Sequence, residues 1–294
     1  MKHLILSTDW WTDCDDAVAI RLIANAVKRG EVCLDAVIVN AFLPESVPSI
    51  LHFMADCGLS HVPAAFDRDA TDYRGKPKFQ YPLTELAGGA YDDYPAVSPV
   101  ELLRKTLANA NEPITILEIG FPQCLAALIE SAPDEISPLD GCALVREKVE
   151  HLYIMAGNYA NEARGSEHNF NNTGRSARGG AVVCEKWPTR ATFLGWEVGH
   201  SVITGSHLPA DDLLKRLMVW HGSPNGRSSW DPMTAELAII GDAEAAGYET
   251  VRGHVSVDPA TGENSFRRDP DGRHEYVKKR LPDEIYAARI DAAL

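Results

Sequence analysis

Short apolar runs alternate along the chain with segments whose apolar residues recur every three or four positions. The first run, residues 4–6, predicts a buried strand. The next segment has Lys28 and Arg29 in its last turn and Gly30 as its stop, which predicts a helix. Its apolar face consists of Ile20, Ile23, Ala24 and Val27. This alternation is typical of βαβ units and predicts an α/β protein with a mainly parallel sheet.

Later segments repeat the alternation. Further buried strands are predicted over residues 36–39, 114–117 and 152–155. One helix is predicted from Ser46 to about Gly58. Another begins at Ser98, where a serine three residues before Glu101 has the spacing of a capping box, and extends through Leu107. We therefore predict one domain over residues 1–294, with an open, mainly parallel sheet flanked by helices.

The last fifty residues have a different pattern. Residues 251–257, a turn over residues 258–264, and the polar residues that follow as far as Tyr276 predict an antiparallel hairpin. A closing helix is predicted over residues 282–294. The hairpin is thus expected to be a small C-terminal addition to the parallel sheet.

Residues 67–97 are rich in Gly, Pro, Tyr and Asp and predict a long loop. A loop of this length is either a lid over a binding site or an ordinary surface excursion. The composition does not distinguish between the two.

Four carboxylates lie within eight residues, where the first strand gives way to the first helix: Asp9, Asp13, Asp15 and Asp16. Clustered carboxylates repel one another unless a cation or hydrogen-bond donors hold them. Capping of the helix explains one or two acids at its start, but it gives Asp9 and Asp13 no role. The cluster therefore predicts a metal-binding or catalytic site.

Composition limits the partners. A net charge of −14, with 28 basic residues dispersed among 42 acidic ones, argues against binding to nucleic acid or to an anionic membrane. No segment is apolar for long enough to span a bilayer, and the N-terminus does not resemble a signal peptide. The six cysteines lack paired spacing, so we expect reduced thiols and a cytoplasmic location.

Each predicted parallel strand ends in a polar or glycine-containing loop. Because ligands bind at the carboxyl edge of open parallel sheets, we expect these loops to line one crevice. The residues concerned are Asp9, Asn40, Ile119–Gly120 and Met155–Gly157.

The motif Thr8-Asp9-x-x-Thr12-Asp13-x-Asp15-Asp16-Ala17 resembles, with a longer loop, the N-terminal aspartate motif of the inosine-uridine nucleoside hydrolases. These enzymes are calcium-dependent N-ribohydrolases with a Rossmann-like open α/β fold. Further elements recur in the family's order over nearly the whole chain. They are Asn40, Ile119-Gly120, Met155-x-Gly157, Glu167-His168-Asn169-Phe170 and Trp230-Asp231-Pro232.

The resemblance implies a role for each matching residue. Asp9, Asp16 and Asp231 would bind Ca²⁺ through their side chains, and Ile119 through its backbone carbonyl. Asp9 would also be the general base that activates water. The residues implied to contact the ribose are Asp15, Asn40, Met155, Glu167 and Asn169. Asp13 has no certain counterpart in the family. It is a candidate to support the metal ligands from the second coordination shell. The resemblance further implies a nucleoside substrate, a role in purine or pyrimidine salvage, and a homo-oligomer, dimeric or tetrameric.

The base-side residues match less well. Trp230 replaces a histidine of one family branch and resembles a second, purine-preferring branch, which predicts stacking of the base on its indole. Trp10 and Trp11 stand where the family has a glycine. They are expected either to join Trp230 in an aromatic wall beside the base or simply to pack in the loop layer. His221 is a candidate acid for the leaving base, with a surface role as the alternative. His168 is predicted to point away from the ribose on an extended segment.

Two other functions are compatible with parts of the sequence. A phosphatase of the haloacid dehalogenase type also has an aspartate after its first strand, but it needs a second aspartate where Trp11 stands. A calcium-stabilised protein that binds nucleosides or sugars without cleaving them would retain the metal ligands and lack turnover.

Overall fold

The computed structural model describes residues 1–88 and 94–294 of the chain. Its main sheet has nine strands in the order β10-β9-β11-β6-β5-β4-β1-β2-β3. These strands are β1 (Lys2–Thr8), β2 (Val32–Val39), β3 (Ala64–Phe66), β4 (Ile114–Glu118), β5 (Val149–Met155), β6 (Arg190–Leu194), β9 (Tyr248–Val257), β10 (Asn264–Arg268) and β11 (His274–Lys279). Two short strands, β7 (Ile203–Thr204) and β8 (Arg227–Ser228), pair separately.

Helices connect these strands over the described residues. They are α1 (Asp15–Lys28), α2 (Ser46–Asp56), α3 (Gln80–Leu86), α4 (Pro99–Asn109), α5 (Gln123–Ile129), α6 (Gly141–Lys148), α7 (His168–Asn171), α8 (Gly174–Lys186), α9 (Trp196–Gly199), α10 (Leu213–His221), α11 (Trp230–Ile240) and α12 (Asp283–Ala293). In the described part of the chain, no helix is both long and apolar enough to cross a bilayer.

The sheet is mainly parallel, as predicted. Seven neighbouring strands from β3 to β11 pair in parallel, and only β9 and β10 run antiparallel to their neighbours. The sheet buries both faces, because successive side chains of a strand point to opposite sides. Leu4 and Leu6 of β1 belong to the core that contains α1 and α11, whereas Ile5 belongs to the core that contains α4, α5 and α8.

The predicted elements agree well with the structure. Ser98 caps α4 as expected, since its side chain accepts a hydrogen bond from the backbone N–H of Glu101 at 3.1 Å. Strand β2 begins four residues before its predicted start, at Val32. Buried and half-buried residues alternate at that end of β2, so it has no continuous apolar run.

The predicted C-terminal hairpin is present as β9 and β10, and the closing helix is α12. The hairpin extends the main sheet, and a further strand, β11, lies between β9 and β6. β11 is parallel to β6 and antiparallel to β9, so it joins the two parts of the sheet.

The segment predicted as a loop over residues 67–97 contains helix α3, and residues 89–93 of it lie outside the described part of the chain. Gln80, at the start of α3, is fully buried. Its side-chain amide donates to the backbone carbonyls of Trp10 and Trp11, at 2.7 and 2.6 Å. The described part of this segment is therefore anchored to the acidic loop, which a free surface excursion would not be.

Candidate active site

A cavity at the carboxyl edge of the sheet collects residues from distant parts of the chain. It is lined by Asp9, Thr12, Asp13, Asp15, Asp16, Ile119, Met155, Glu167, His168, Asn169, Trp196, Trp230 and Asp231. Asp9 and Ile119 directly follow β1 and β4, and Met155 ends β5. Their common position follows from the parallel order of these strands, whose carboxyl ends meet at one edge.

The acidic loop turns sharply between β1 and α1. Trp10 has a φ of 48°, an unusual conformation for a residue with a side chain. This turn brings the backbone N–H of Trp10 to 3.2 Å from Asp16 Oδ1, which the Thr8 hydroxyl also contacts. Asp9 Oδ1 accepts a hydrogen bond from the N–H of Trp11 at 3.1 Å. The loop thus holds both carboxylates by its own backbone.

Three buried carboxylates form a compact group, which we call the carboxylate trio: Asp15, Asp16 and Asp231. Each contributes an oxygen that lies within 4.8 Å of those of the other two. Asp231 is far away in sequence, but its helix α11 packs on α1, and its N–H donates to Asp15 Oδ2 at 3.1 Å. The ligands implied by resemblance, Asp9, Asp16 and Asp231, share two members with this trio. Asp9 lines the same cavity.

Burial and like charge act together on these groups. Burial, then the neighbouring carboxylates, raise the pKa of Asp15 and of Asp231 well above the ordinary value. Burial raises the pKa of Asp16 to about 7. Burial and the Asp16 carboxylate also raise the pKa of Asp9. Among the described residues that line the cavity, none is a lysine or arginine, and the charge of Arg227 offsets the repulsion at Asp15 only in part.

This donor set fits a hard divalent cation. Buried charges are unfavourable unless they are paired or bind a metal, and carboxylate and carbonyl oxygens are the ligands that Ca²⁺ prefers. Asp15, Asp16 and Asp231 would hold the ion, and Asp9 and Ile119 line the same cavity.

Asp13 has a partner of its own. Its carboxylate accepts hydrogen bonds from Arg227, at 2.8 Å between Nε and Oδ1. Burial acts against this charge, but Arg227 outweighs it and lowers the pKa of Asp13. His221 lies behind Asp13, with Nε2 3.8 Å from Oδ1, and does not line the cavity. The structure thus separates the candidate acid His221 from the cavity by the side chain of Asp13.

Asn40 lies behind the cavity. Its side-chain amide donates to Ser7 at 3.0 Å and to Glu118 at 2.9 Å, and its Oδ1 accepts from the N–H of Phe121. The residue is fully buried and does not line the cavity, and both of its amide hydrogens donate to protein groups. Asn40 thus braces the strand ends that carry the cavity.

Glu118 was not singled out from the sequence. It is completely buried at the end of β4, and burial raises its pKa to about 8. Next to it, Gly120 lets the loop pass close to the acidic motif, because a Cβ there would lie 2.4 Å from the backbone nitrogen of Asp9. Both residues help to fix the two strand ends against each other.

A second loop supplies the ribose-side candidates. Glu167 caps helix α7: its carboxylate accepts from the N–H of Asn169 at 2.9 Å and from that of Gly157 at 3.0 Å. Asn169 donates to the Met155 carbonyl at 2.8 Å. These hydrogen bonds connect the end of β5 to α7, and all three of the implied ribose contacts on this side, Met155, Glu167 and Asn169, line the cavity.

The prediction for His168 was wrong. We expected an extended segment that turns His168 away, but Glu167 caps a short helix, so His168 and Asn169 do not point to opposite sides. His168 lines the cavity, and its Nε2 lies 2.7 Å from the side-chain nitrogen of Asn172. Burial, followed by the charge of Arg74, lowers the pKa of His168, which favours the neutral imidazole.

The tryptophans differ in position. Trp10 is fully buried against Phe53 and Phe79, and Trp11 donates its indole N–H to the carbonyl of Arg74, so neither lines the cavity. Of the two alternatives for Trp10 and Trp11, the structure therefore shows packing in the loop layer and not an aromatic wall at the cavity. Trp230 does line the cavity.

Trp196 shares this wall and was missed from the sequence. The Trp230 indole N–H donates to the Trp196 carbonyl at 2.7 Å, and the Trp196 ring stacks on His200 at 4.1 Å. Trp196 follows the carboxyl end of β6, the same position that identified the other loop residues. Its strand was not predicted, so this signal was not available.

Fold and cavity together define a class: the chain has the fold of the nucleoside hydrolases. The fold predicted by resemblance is thereby confirmed. No protein-family model and no curated protein sequence matches the chain.

Particular solved structures share this fold over essentially the whole chain. The inosine-uridine preferring nucleoside hydrolase from Bacillus anthracis is 19% identical over 100% of both chains, with a TM-score of 0.67. An inosine-guanosine nucleoside hydrolase is 14% identical over 100% of this chain and 98% of its own, with a TM-score of 0.71. The type III effector protein XopQ, complexed with adenosine diphosphate ribose, is 17% identical over 100% of this chain and 93% of its own, with a TM-score of 0.65.

Proposed function

We propose that this protein hydrolyses the N-glycosidic bond of ribonucleosides, with Ca²⁺ as its cofactor, and releases the free base and ribose. The observation that carries the proposal is the buried carboxylate trio beside Asp9, in a cavity whose opposite side carries Glu167 and Asn169. The fold of solved nucleoside hydrolases supports the same reaction.

The trio supplies the cation site in this proposal. A bound Ca²⁺ would neutralise the carboxylates, orient the vicinal hydroxyls of the ribose, and make a water molecule easier to deprotonate. The site is rich in oxygen ligands and holds no cysteine or histidine within the trio, which favours Ca²⁺ over Zn²⁺.

Asp9 acts as the general base. It is held by the N–H of Trp11 and lines the cavity that also contains the trio, so it can accept a proton from a water molecule bound there. As the base departs, positive charge develops on the sugar ring, and the acidic wall of the cavity stabilises that charge. Glu167, Asn169 and Met155 form the ribose side and position the anomeric carbon.

Trp230 stacks on the departing base. Because aromatic stacking contributes about 1 kcal/mol beyond burial, Trp230→Ala is expected to lower kcat/KM for purine nucleosides about 5-fold. Trp230→Phe, which keeps a ring, is expected to retain most of it. Steady-state kinetics with inosine and uridine measure both, and Trp220→Ala, a half-buried tryptophan outside the cavity, is the control. Unchanged kcat/KM in Trp230→Ala for all substrates would contradict the stacking role.

His168 replaces His221 as the candidate group that stabilises the leaving base, since it lines the cavity and His221 does not. Its lowered pKa favours the neutral imidazole, and its Nε2 lies 2.7 Å from the side-chain nitrogen of Asn172, so the other ring nitrogen would donate a hydrogen bond to the departing base. Loss of a donor that stabilises developing charge costs about 10²-fold or more in rate, so His168→Ala is expected to reduce kcat for inosine by about 10²-fold. It should barely affect p-nitrophenyl riboside, whose leaving group needs no such stabilisation. His221→Ala is the matched comparison and should affect inosine hydrolysis much less. Equal losses on both substrates in His168→Ala would exclude a role at the leaving base.

A binding protein without turnover is the second candidate. The observation that favours it is the shared fold of XopQ, which was solved with adenosine diphosphate ribose bound. In this alternative the same cavity holds a nucleoside or a nucleotide sugar, and Asp9 orients no attacking water.

A direct assay distinguishes the two functions. The purified protein with Ca²⁺ is incubated with inosine, guanosine, adenosine, uridine and cytidine, and the released ribose is measured as reducing sugar. We expect release from at least one nucleoside and loss of release on chelation. If all five nucleosides stay intact while calorimetry shows binding of adenosine diphosphate ribose, the protein is a binder.

A further inference from the structure

A second group of metal-ligating side chains lies at the opposite, amino-terminal edge of the sheet. It consists of His3, Cys33 and Asp35, which we call the amino-edge cluster. A ring nitrogen, a thiol sulfur and a carboxylate oxygen from these residues all lie within 4.8 Å of one another. We propose that the amino-edge cluster binds Zn²⁺.

Strand register brings the cluster together. His3 of β1 is paired directly with Cys33 of β2, so neighbouring strands present the two side chains side by side. The register of the pair then slips by one residue between Leu4 and Ile5, which leaves Asp35 without a counterpart on β1. Such a bulge redirects a side chain. Here it accompanies an Asp35 carboxylate that contacts both other members of the cluster.

The contacts already join the three ligands in pairs. His3 Nδ1 lies 2.9 Å from Asp35 Oδ2, and Cys33 Sγ lies 3.4 Å from Asp35 Oδ1. About a quarter of the His3 and Asp35 side-chain surface remains exposed, 29% and 22% respectively, so an ion can reach them. A divalent ion would replace the hydrogen bonds that Asp35 makes with His3 and Cys33, and the Cys33 thiol would release its proton to the solvent.

The chemistry of the three ligands selects the ion. Imidazole nitrogen, thiolate sulfur and carboxylate oxygen are the ligands of Zn²⁺, whereas Ca²⁺ and Mg²⁺ take oxygen alone. A neutral imidazole, one thiolate and one carboxylate balance the charge of the ion. The cleft beside His3 and Asp35 is lined by further polar residues, Thr106, Asn109, Asn111 and Glu112, which leaves the fourth position to water or to one of these groups.

This site is independent of the proposed hydrolase function. His3 is at the beginning of β1 and Asp9 follows its end, so about 20 Å separates the two sites at the usual rise of a strand. Zn²⁺ bound there would hold β1 and β2 together and stabilise the folded chain by mass action.

Cobalt reports the ligands directly. The intact protein is saturated with Ca²⁺ and titrated with Co²⁺, and then with Zn²⁺, under reducing conditions. We expect one equivalent of Co²⁺ to produce a thiolate-to-metal charge-transfer band, which Zn²⁺ abolishes by displacement. Cys33→Ser is expected to remove the band and to weaken Zn²⁺ binding about 100-fold.

Three controls locate the site. Cys142→Ser changes another half-buried cysteine and should leave the band intact. Cys14→Ser tests the other cysteine that lies near a carboxylate and a histidine, Asp13 and His221, and should also retain the band. His3→Ala should weaken Zn²⁺ binding without unfolding the protein, as circular dichroism will show. Absence of the band in the wild type, or a band that persists in Cys33→Ser, overturns the proposal, whatever the result of the nucleoside assay.

Discussion

Asp9→Ala is expected to abolish ribose release from nucleosides, with kcat reduced by about 10³-fold or more, while the protein remains folded. In the proposed mechanism Asp9, held by the N–H of Trp11, takes the proton from water, and loss of a general base costs about 10²–10⁴-fold. Steady-state kinetics with the best nucleoside substrate measure the loss.

The conservative variant Asp9→Asn separates chemistry from loop structure. Its side-chain oxygen can still accept the hydrogen bond from the N–H of Trp11, but it cannot accept a proton at neutral pH. We expect Asp9→Asn to be as inactive as Asp9→Ala, with thermal unfolding close to that of the wild type. Substantial turnover in Asp9→Asn would show that another group is the base.

The second large effect concerns the cation. Asp231→Asn removes one charge of the carboxylate trio, and we expect it to weaken Ca²⁺ binding at least about 100-fold and to lower activity accordingly. In the wild type, Ca²⁺ at 100 times its Kd is expected to stabilise the fold by about 2.7 kcal/mol, and this stabilisation should fall to about 0.4 kcal/mol or less in Asp231→Asn at the same concentration. Calorimetric titration and thermal unfolding with and without Ca²⁺ measure both quantities.

The unfolding temperature of Asp231→Asn without Ca²⁺ is a separate check. Asp231 is repelled by the buried carboxylates of Asp15 and Asp16, so its neutral replacement relieves repulsion in the chelated protein. Chelated Asp231→Asn should therefore unfold at the same temperature as the chelated wild type or higher. Asp211→Asn, at an exposed site, is the matched control and should change neither binding nor unfolding. A chelated Asp231→Asn protein that is much less stable would assign Asp231 a purely structural role.

Within the fold, local patterns were sufficient where they extended over a whole element. The apolar face of α1, the N-cap at Ser98 and the C-terminal hairpin were all predicted from residues close together in sequence, and the structure has them. Glu167 shows the limit of such patterns. Its side chain caps α7, which changes the direction of His168, and nothing in the alternation of polar residues distinguishes this cap from an extended segment.

For the candidate site, a strand that ends in an acidic loop already places Asp9, Asp15 and Asp16 at the sheet edge, because chain connectivity and strand direction allow little else. The grouping of Asp15 and Asp16 with Asp231 depends on how α11 packs on α1, so it is seen only in the folded chain. The burial of Trp10 and the position of Trp196 at the cavity likewise follow from tertiary packing. Contacts between residues far apart in the chain depend on packing angles and strand register, and these are set by the whole core and not by any one segment.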